Sequence, residues 1–340
     1  MGLPAEVQIE QETTLNRKTC AALLLLPVVA FALIAGCSEP GEPQNAMTRE
    51  EAIPDSAVKV AAQDDAFPPV LHGEDWYYPV PMEGPINTAG AEDSPFITPD
   101  GDTFFFFFTP DVDVPATDQV TDGVTGIWWS RQINDAWTEP ERVVLSDALS
   151  LEGCPCARGD TLWFCSVRAG NYGEVDFYTA EYEDGVWGDW ENAGEQLNGE
   201  YSVGELHVSA DGDTVYFGWD APDGFGGMDI WSSQKVDGTW GEPVNLGPTV
   251  NSNLNEDLPF LSSDGEELWF SGQSRLGYPG PAVYRSLKSG DGSWGEAEEV
   301  ISLFAAEPTL DDKGNIYFAH HFFDQDGAMV EVDIYMAYHK

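Results

Sequence analysis

Acidic residues recur at one place in this chain, just before a short apolar strand that opens each of five similar segments. They are Glu92, Asp93, Glu152, Glu205, Glu256, Asp257 and Glu307. Carboxylates that lie close together cannot all ionise cheaply, so such a group shares protons, stays hydrated or binds a cation. We therefore predict a binding site where the five segments meet, with His207 beside it. The alternative is that these acids cap hairpins or face solvent.

A second set of candidate binding residues lies in the loops after the second strand of a segment. It comprises Arg168, Tyr172, Arg275 and Tyr278. Such side chains can stack on sugar rings or anchor a protein partner. The alternative is that the two arginines pair locally with acids. No catalytic residue is assigned and no cofactor is required, although a calcium ion among the carboxylates stays open.

The elements that position these residues repeat with a nearly constant period. Aromatic residues of one strand recur at spacings of 50, 53, 53 and 51 residues, at Trp128, Tyr178, Trp231, Tyr284 and Tyr335. Asp-Gly turns such as Asp100-Gly101 separate short apolar runs, which predicts four strands in each segment. A period near fifty with strand and turn signals, and no sustained helical pattern, is typical of a radial β array.

The last repeat is incomplete, and the start of the array supplies what it lacks. A Trp follows the aromatic strand in four repeats, at Trp137, Trp187, Trp240 and Trp294. The fifth copy would fall beyond Lys340, whereas Trp76 stands unmatched before the first repeat. We therefore expect the segment around Trp76 to pair with the one around Tyr335 and to close a ring.

Three stretches of the chain resemble the TolB-type (WD-like, Pro-Asp repeat) β-propeller family. They are Gly226–Trp231, Asp237–Gly247 and Asn255–Phe260, and the similarity covers roughly Trp76 to Lys340. The second repeat departs most, with Gly153–Gly159 in place of the Pro…Asp-Gly opening. The resemblance implies an all-β, five-bladed β-propeller of four-stranded antiparallel blades, closed by the N-terminal strand. It also implies an envelope or secreted protein whose role is binding, and it carries no catalytic residue across.

The N-terminal region predicts export and lipid attachment. Arg17-Lys18 precedes an apolar stretch that ends in Leu33–Cys37, which resembles the bacterial lipobox. We predict a lipoprotein signal peptide at 1–36, lipidation of Cys37, a flexible tether at 37–70 and the propeller at 71–340. The alternatives for the first segment are an uncleaved anchor or a chance cysteine. The predicted location is the cell envelope, facing the periplasm or exposed on the outer membrane.

The charge balance limits the partners. The chain has 14 Lys and Arg against 60 Asp and Glu, a formal net charge of −46. Such a surface repels nucleic acid, so the expected partners are a protein or a glycan of the cell wall. The function predicted is a non-catalytic binding or scaffold module. The alternative is an arabinanase-like glycoside hydrolase that uses the central carboxylates as acid and base.

Three cysteines remain beyond the predicted lipid site. Cys154, Cys156 and Cys165 share one face of a predicted hairpin, because strand side chains alternate with period two. A disulfide from Cys165 to either of the other two suits an oxidising compartment. Three small buried thiols are the alternative, and the sequence leaves both open.

Overall fold

The computed structural model describes residues 47–145, 150–199 and 203–340, and this part of the chain is all-β. Its helices are single turns, at Arg49–Ala52, Ala62–Asp64 and Ala116–Gln119. Among the described residues, no helix has the length and apolar content needed to cross a membrane. The predicted absence of sustained helix in the repeats agrees with these bounds.

Strands β3 to β23 follow the five predicted repeats, each antiparallel within itself, and a parallel pair between β23 and β3 joins repeats five and one in one sheet. Repeat one contains β3 (Ala91–Ile97), β4 (Thr103–Thr109), β5 (Gly126–Ile133), β6 (Ala136–Trp137) and β7 (Glu141–Arg142). Repeat two contains β8 (Leu151–Arg158), β9 (Thr161–Val167), β10 (Asp176–Glu183) and β11 (Val186–Asn192). Repeat three contains β12 (Val203–Val208), β13 (Thr214–Trp219), β14 (Asp229–Val236), β15 (Thr239–Trp240) and β16 (Val244–Asn245).

The remaining strands belong to repeats four and five and to the segment that precedes repeat one. Repeat four contains β17 (Glu256–Leu261), β18 (Glu267–Gln273), β19 (Pro281–Leu287) and β20 (Glu298–Ser302). Repeat five contains β21 (Ala305–Leu310), β22 (Ile316–Phe323) and β23 (Met329–Ala337). Two short strands, β1 (Val70–Leu71) and β2 (Val80–Pro81), come before them.

The segment around Trp76 pairs with the end of the chain, as the sequence predicted. In β2, Val80 lies opposite Met336 and Pro81 opposite Tyr335. Trp76 forms a further antiparallel bridge with His339. The N-terminal strand thus takes the outer position beside β23, which repeat five lacks.

The first strands of the five repeats lie at the centre of the array. β3 contacts β8, β8 contacts β12, β12 contacts β17, β17 contacts β21, and β21 contacts β3. Aromatic rings pack between neighbouring repeats, as in Trp163 with Trp240 and Phe177 with Phe217. The repeated aromatic residues are therefore packing residues, which is the role the sequence favoured for most of them.

The same irregularity interrupts every first strand and decides where its acids point. The register to the second strand shifts between Asp93 and Phe96 in β3 and between Asp257 and Phe260 in β17. Corresponding shifts occur in β8, β12 and β21. In such a bulge, two residues of the first strand lie opposite one residue of the second strand, and the side chains that follow change direction.

Residues 47–71, which we call the strap, pack against the repeats. Arg49 is 1% exposed, and its guanidinium donates to the carbonyl oxygens of Ile86 (2.7 Å) and Pro85 (2.5 Å). Lys59 forms ion pairs with Glu331 and Asp333 of β23. The strap ends in β1, which pairs with β20 of repeat four.

The predicted tether is therefore wrong for residues 47–70. Composition suggested that this stretch buries too little apolar surface to order itself. Its order comes instead from basic side chains that reach buried carboxylates, which composition does not report. Residues 1–46, with the predicted signal peptide and Cys37, lie outside the described residues, so lipidation stays a prediction.

Candidate functional site

The bulges divide the predicted site acids into two sets. Glu92, Glu152 and Glu256 pair with the second strand at corresponding positions before the bulge, and all three are buried. A second set, the central carboxylates, lies where the first strands meet: Asp93, Glu205, Asp257 and Glu307. The sequence predicted one converging group, and the structure brings only the second set together.

Each acid of the first set is held by an arginine. Arg168 Nη2 lies 2.7 Å from Glu152 Oε1, and Arg275 Nη2 lies 2.9 Å from Glu256 Oε1. Because these guanidinium groups are used locally, the structure favours a structural role for Arg168 and Arg275, and their role in ligand binding stays a prediction. The sequence had kept that pairing as an alternative.

Glu92 forms its ion pair with an arginine that lies outside its own repeat. Arg49 Nη1 of the strap lies 3.2 Å from Glu92 Oε1, and both side chains are buried. Thr88 also donates from its backbone N–H to Glu92, at 2.9 Å. Burial raises the pKa of Glu92 to about 7 against the opposing effect of Arg49. The role of Arg49 was not predicted from the sequence, although Thr48 and Glu51 form a capping box, which is a signal of an ordered helical turn.

The central carboxylates are linked through Ser94. Its backbone N–H donates to Glu307 Oε2 at 2.5 Å, and its hydroxyl donates to Glu205 Oε1 at 2.5 Å. Ser94 takes a φ of 45°, which the bulge imposes and which aims both donors at the centre. The backbone N–H of Leu258 donates to Asp257 Oδ1 at 2.8 Å.

All four central carboxylates have raised pKa values. Burial is the largest cause in each, and it raises the pKa of Asp93, Glu205 and Glu307 to about 8 and that of Asp257 to about 7. The next cause is a neighbouring acid for three of them: Glu205 acts on Asp93, Glu307 on Glu205, and Asp93 on Glu307. Like charges at close range disfavour ionisation, so the group holds protons near neutral pH.

Among the described residues, no lysine or arginine forms an ion pair with a central carboxylate. Within the same residues, no group of three or more His, Cys, Asp or Glu side chains has the geometry of a metal site. The open expectation of calcium therefore gains no support and stays a prediction.

His207, which was predicted beside the site, makes its described side-chain hydrogen bonds away from the central carboxylates. Its Nε2 contacts Arg158 Nη2, and its Nδ1 lies 4.0 Å from Cys156 Sγ. The ring packs on Phe260, with centroids 4.4 Å apart. Burial and then Arg158 lower the pKa of His207 well below its usual value, so the imidazole is neutral. It is a core residue.

Two cavities adjoin the central carboxylates. One, of about 20 Å³, is lined by Ser94, Glu205 and Glu307 and is large enough for about one water molecule. The other, of about 560 Å³, opens at repeat four and has Asp257 in its wall. Asp257 thus borders the larger cavity, whereas Glu205 and Glu307 border the smaller one.

The predicted loop tyrosines differ from the loop arginines. Tyr172 is 54% exposed and Tyr278 is 38% exposed. Tyr278 lines the larger cavity, whereas Tyr172 lies on the loop of repeat two. Tyr278 thus remains a binding candidate at the cavity rim, and Tyr172 remains one on the surface.

The three cysteines are free thiols in this structure. Cys165 Sγ lies 3.9 Å from the carbonyl oxygen of Gly204, beside the central carboxylates. A hydrogen bond with Cys165, and then burial, raise the pKa of the Cys154 thiol well above its usual value. Cys156 and Cys165 are buried and Cys154 is half-buried, and the raised pKa of each thiol disfavours the thiolate, which favours the second alternative that the sequence left open.

Comparisons with known proteins give distant similarities. No family model matches the chain, and no curated protein sequence matches it. A TolB structure from Acinetobacter baumannii is similar at 12% identity and a TM-score of 0.42, over 75% of this chain and 55% of that one. A putative TolB from Agrobacterium tumefaciens is similar at 16% identity and a TM-score of 0.40, over 74% and 92%.

A third similar structure is a chain of a nidogen–laminin complex, at 11% identity and a TM-score of 0.43, over 72% of this chain and 84% of that one. The chain spans just over half of the Acinetobacter structure, 55%. The TolB-type resemblance seen in the sequence is thus met again among solved structures. Because each TM-score is below 0.5, no residue role or activity is transferred from them.

Proposed function

We propose that this chain is a five-bladed β-propeller, closed by its N-terminal strand, that acts as a non-catalytic binding or scaffold module of the cell envelope. The expected ligand is a protein or a cell-wall glycan. Lipid attachment at Cys37 would hold the module at the membrane, facing the periplasm or exposed on the outer membrane. The five repeats and the pairing of β2 with β23 support the architecture.

The small size of the cavity beside Glu205 and Glu307 is the observation that favours binding over catalysis. A glycoside hydrolase needs two carboxyl groups on opposite sides of a sugar, about 5 to 9.5 Å apart, with the scissile bond between them. Here Ser94 bridges Glu205 and Glu307 by two hydrogen bonds, and the cavity beside them measures about 20 Å³. A sugar ring does not fit there, which disfavours the arabinanase-like alternative.

An activity assay distinguishes the two proposals. The full chain is incubated with arabinan and with peptidoglycan fragments, and both cleavage and binding are measured. We expect no cleavage by the wild type. Cleavage by the wild type that falls at least about 100-fold in Glu205→Gln would instead establish a hydrolase, because a general acid or base contributes that much.

Ring closure has its own test. Deletion of residues 74–83 removes β2 and Trp76, which leaves the edge of β23 unpaired. We expect the whole domain to lose stability, with a lower melting temperature for every repeat. An unchanged melting temperature would contradict closure by this strand.

A further inference from the structure

The larger cavity has the size and lining of a ligand site. Its volume of about 560 Å³ lies within the range of about 300 to 1,000 Å³ that is common for ligand pockets. Leu254, Leu258 and Pro281 provide apolar wall, and Tyr278 stands at the rim. Asn255 and Gln273 add amide groups. An apolar cavity with a few polar groups can hold an extended side chain and orient its polar end.

Asp257 is the one acidic residue among the described residues that line this cavity. No lysine, arginine or histidine is among the residues that line it. Arg275, which follows the lining residue Ser274 in the chain, is occupied by Glu256 at 2.9 Å and by the carbonyl oxygen of Val250 at 2.7 Å. The cavity therefore presents a carboxylate that the described residues leave without a cationic partner.

Two glycines of repeat three leave the space that the Asp257 carboxylate occupies. A Cβ atom on Gly204 would lie 2.1 Å from Asp257 Oδ1, and one on Gly218 would lie 1.8 Å from it. Any side chain at either position would displace the carboxylate. The backbone N–H of Leu258 holds the same oxygen at 2.8 Å. Two glycines and a backbone donor thus fix Asp257 at the cavity, and none of them supplies a cation.

We propose that this cavity binds a lysine or arginine side chain presented by a protein partner. The inference rests on the proposed binding function and gives the class of its ligand. The aliphatic stem of the basic side chain would lie on Leu254, Leu258 and Tyr278, and its cationic group would meet Asp257. The net charge of −46 attracts a basic partner and would speed its encounter with this surface.

Blocked pentapeptides test the proposal. Four fluorescent probes carry lysine, arginine, norleucine or glutamate between pairs of alanines, and their binding to the full chain is measured by fluorescence anisotropy. We expect the lysine and arginine peptides to bind at least about tenfold more tightly than the norleucine peptide, because a desolvated charge pair carries that difference. Equal binding of norleucine, or no binding of the basic peptides, would overturn the proposal.

Variants locate the interaction. Asp257→Asn should weaken binding of the basic peptides at least about tenfold, and Gln273→Lys should do the same by placing a competing ammonium group at the rim. Glu296→Gln changes an exposed acid outside the cavity and should leave affinity within about twofold of wild type. Melting curves confirm that each variant is folded. Wild-type affinity in both cavity variants would overturn the proposal.

The outcome also separates this inference from the proposed function. If peptidoglycan fragments bind and the basic peptides do not, the basic-partner inference fails while the binding function stands. If the wild type cleaves a glycan and Glu205→Gln does not, the binding function itself fails.

Discussion

Two sets of acids lie close together in the first strands, and they differ in what neutralises them. Glu92, Glu152 and Glu256 each contact an arginine at 3.2 Å or less. Asp93, Glu205, Asp257 and Glu307 are coupled electrostatically and have no lysine or arginine partner among the described residues. The first set is compensated by arginines, whereas the second set, which has no such partner, holds protons near neutral pH.

The arginines of the first set also show why the strap belongs to the domain. Arg168 lies 4.6 Å from the ring centroid of Tyr178, and Arg275 lies 4.7 Å from that of Tyr284. In repeat one, Trp128 has the corresponding place on the third strand, and Arg49 lies 5.6 Å from its centroid. The arginine that pairs with the buried acid thus comes from the repeat's own loop in repeats two and four, and from the strap in repeat one.

The pH dependence of stability is the largest effect that we expect from the central carboxylates. The folded-state pKa values of the central carboxylates, about 7 to 8, lie above the unfolded values near 4. The folded state therefore binds more protons between these limits, and their contribution to stability is lost as pH rises through about 8. We expect the free energy of unfolding, measured with urea, to fall by on the order of 5 kcal/mol from pH 5 to pH 8. A rise over this range would contradict the assignment.

Loss of a partner arginine should have the next largest effect. Arg49→Met leaves Glu92 buried without its cation and leaves two carbonyl oxygens without a donor, which should cost about 3 kcal/mol at pH 8. Arg168→Met is the matched change within a repeat and should cost a similar amount. Urea unfolding of both variants makes the comparison.

The control for these changes is Arg131→Met, because Arg131 is exposed and lies over Trp129. It should cost no more than about 1 kcal/mol. The Arg49→Met cost should shrink at pH 5, where Glu92 takes up a proton. If Arg49→Met costs no more than Arg131→Met, the strap is not an integral part of repeat one.

Neutralising a central carboxylate should have the smallest effect and the opposite sign. Asp93→Asn removes one like charge from the group, so we expect a stabilisation of about 1 kcal/mol at pH 8 and little change at pH 5. Glu152→Gln, which weakens an arginine pair, should instead destabilise the protein. If Asp93→Asn destabilises the protein at pH 8, the claim that the central carboxylates repel one another, unlike the arginine-paired acids, is contradicted.

The sequence predicted the repeats but not the division of the acids. The period of the aromatic residues and the unmatched Trp76 identified the five units and the pairing of β2 with β23, because turn chemistry and packing repeat visibly. The bulge leaves no such signal in the sequence. Glu205 and Glu307 occupy the position of Ser94, which lies two residues after that of Glu92. Such a shift along a bulged strand changes which groups surround a side chain.

Arg49 was missed for a different reason. Its stretch was judged by its low apolar content, whereas its order depends on a partner 43 positions along the chain. A basic residue that compensates a distant buried acid leaves no periodic pattern. Composition therefore identifies segments that cannot fold alone, and it does not identify segments that fold onto something else.

A carboxyl titration tests the central claim most directly. The full chain, labelled with ¹³C at aspartate and glutamate carboxyl carbons, is titrated by NMR, and Asp257 and Glu307 are assigned through Asp257→Asn and Glu307→Gln. Without a cationic partner, we expect Asp257 to titrate near pH 7 and Glu307 near pH 8. Titration of both near pH 4, the ordinary carboxyl range, would mean that a cation compensates them and would contradict the account.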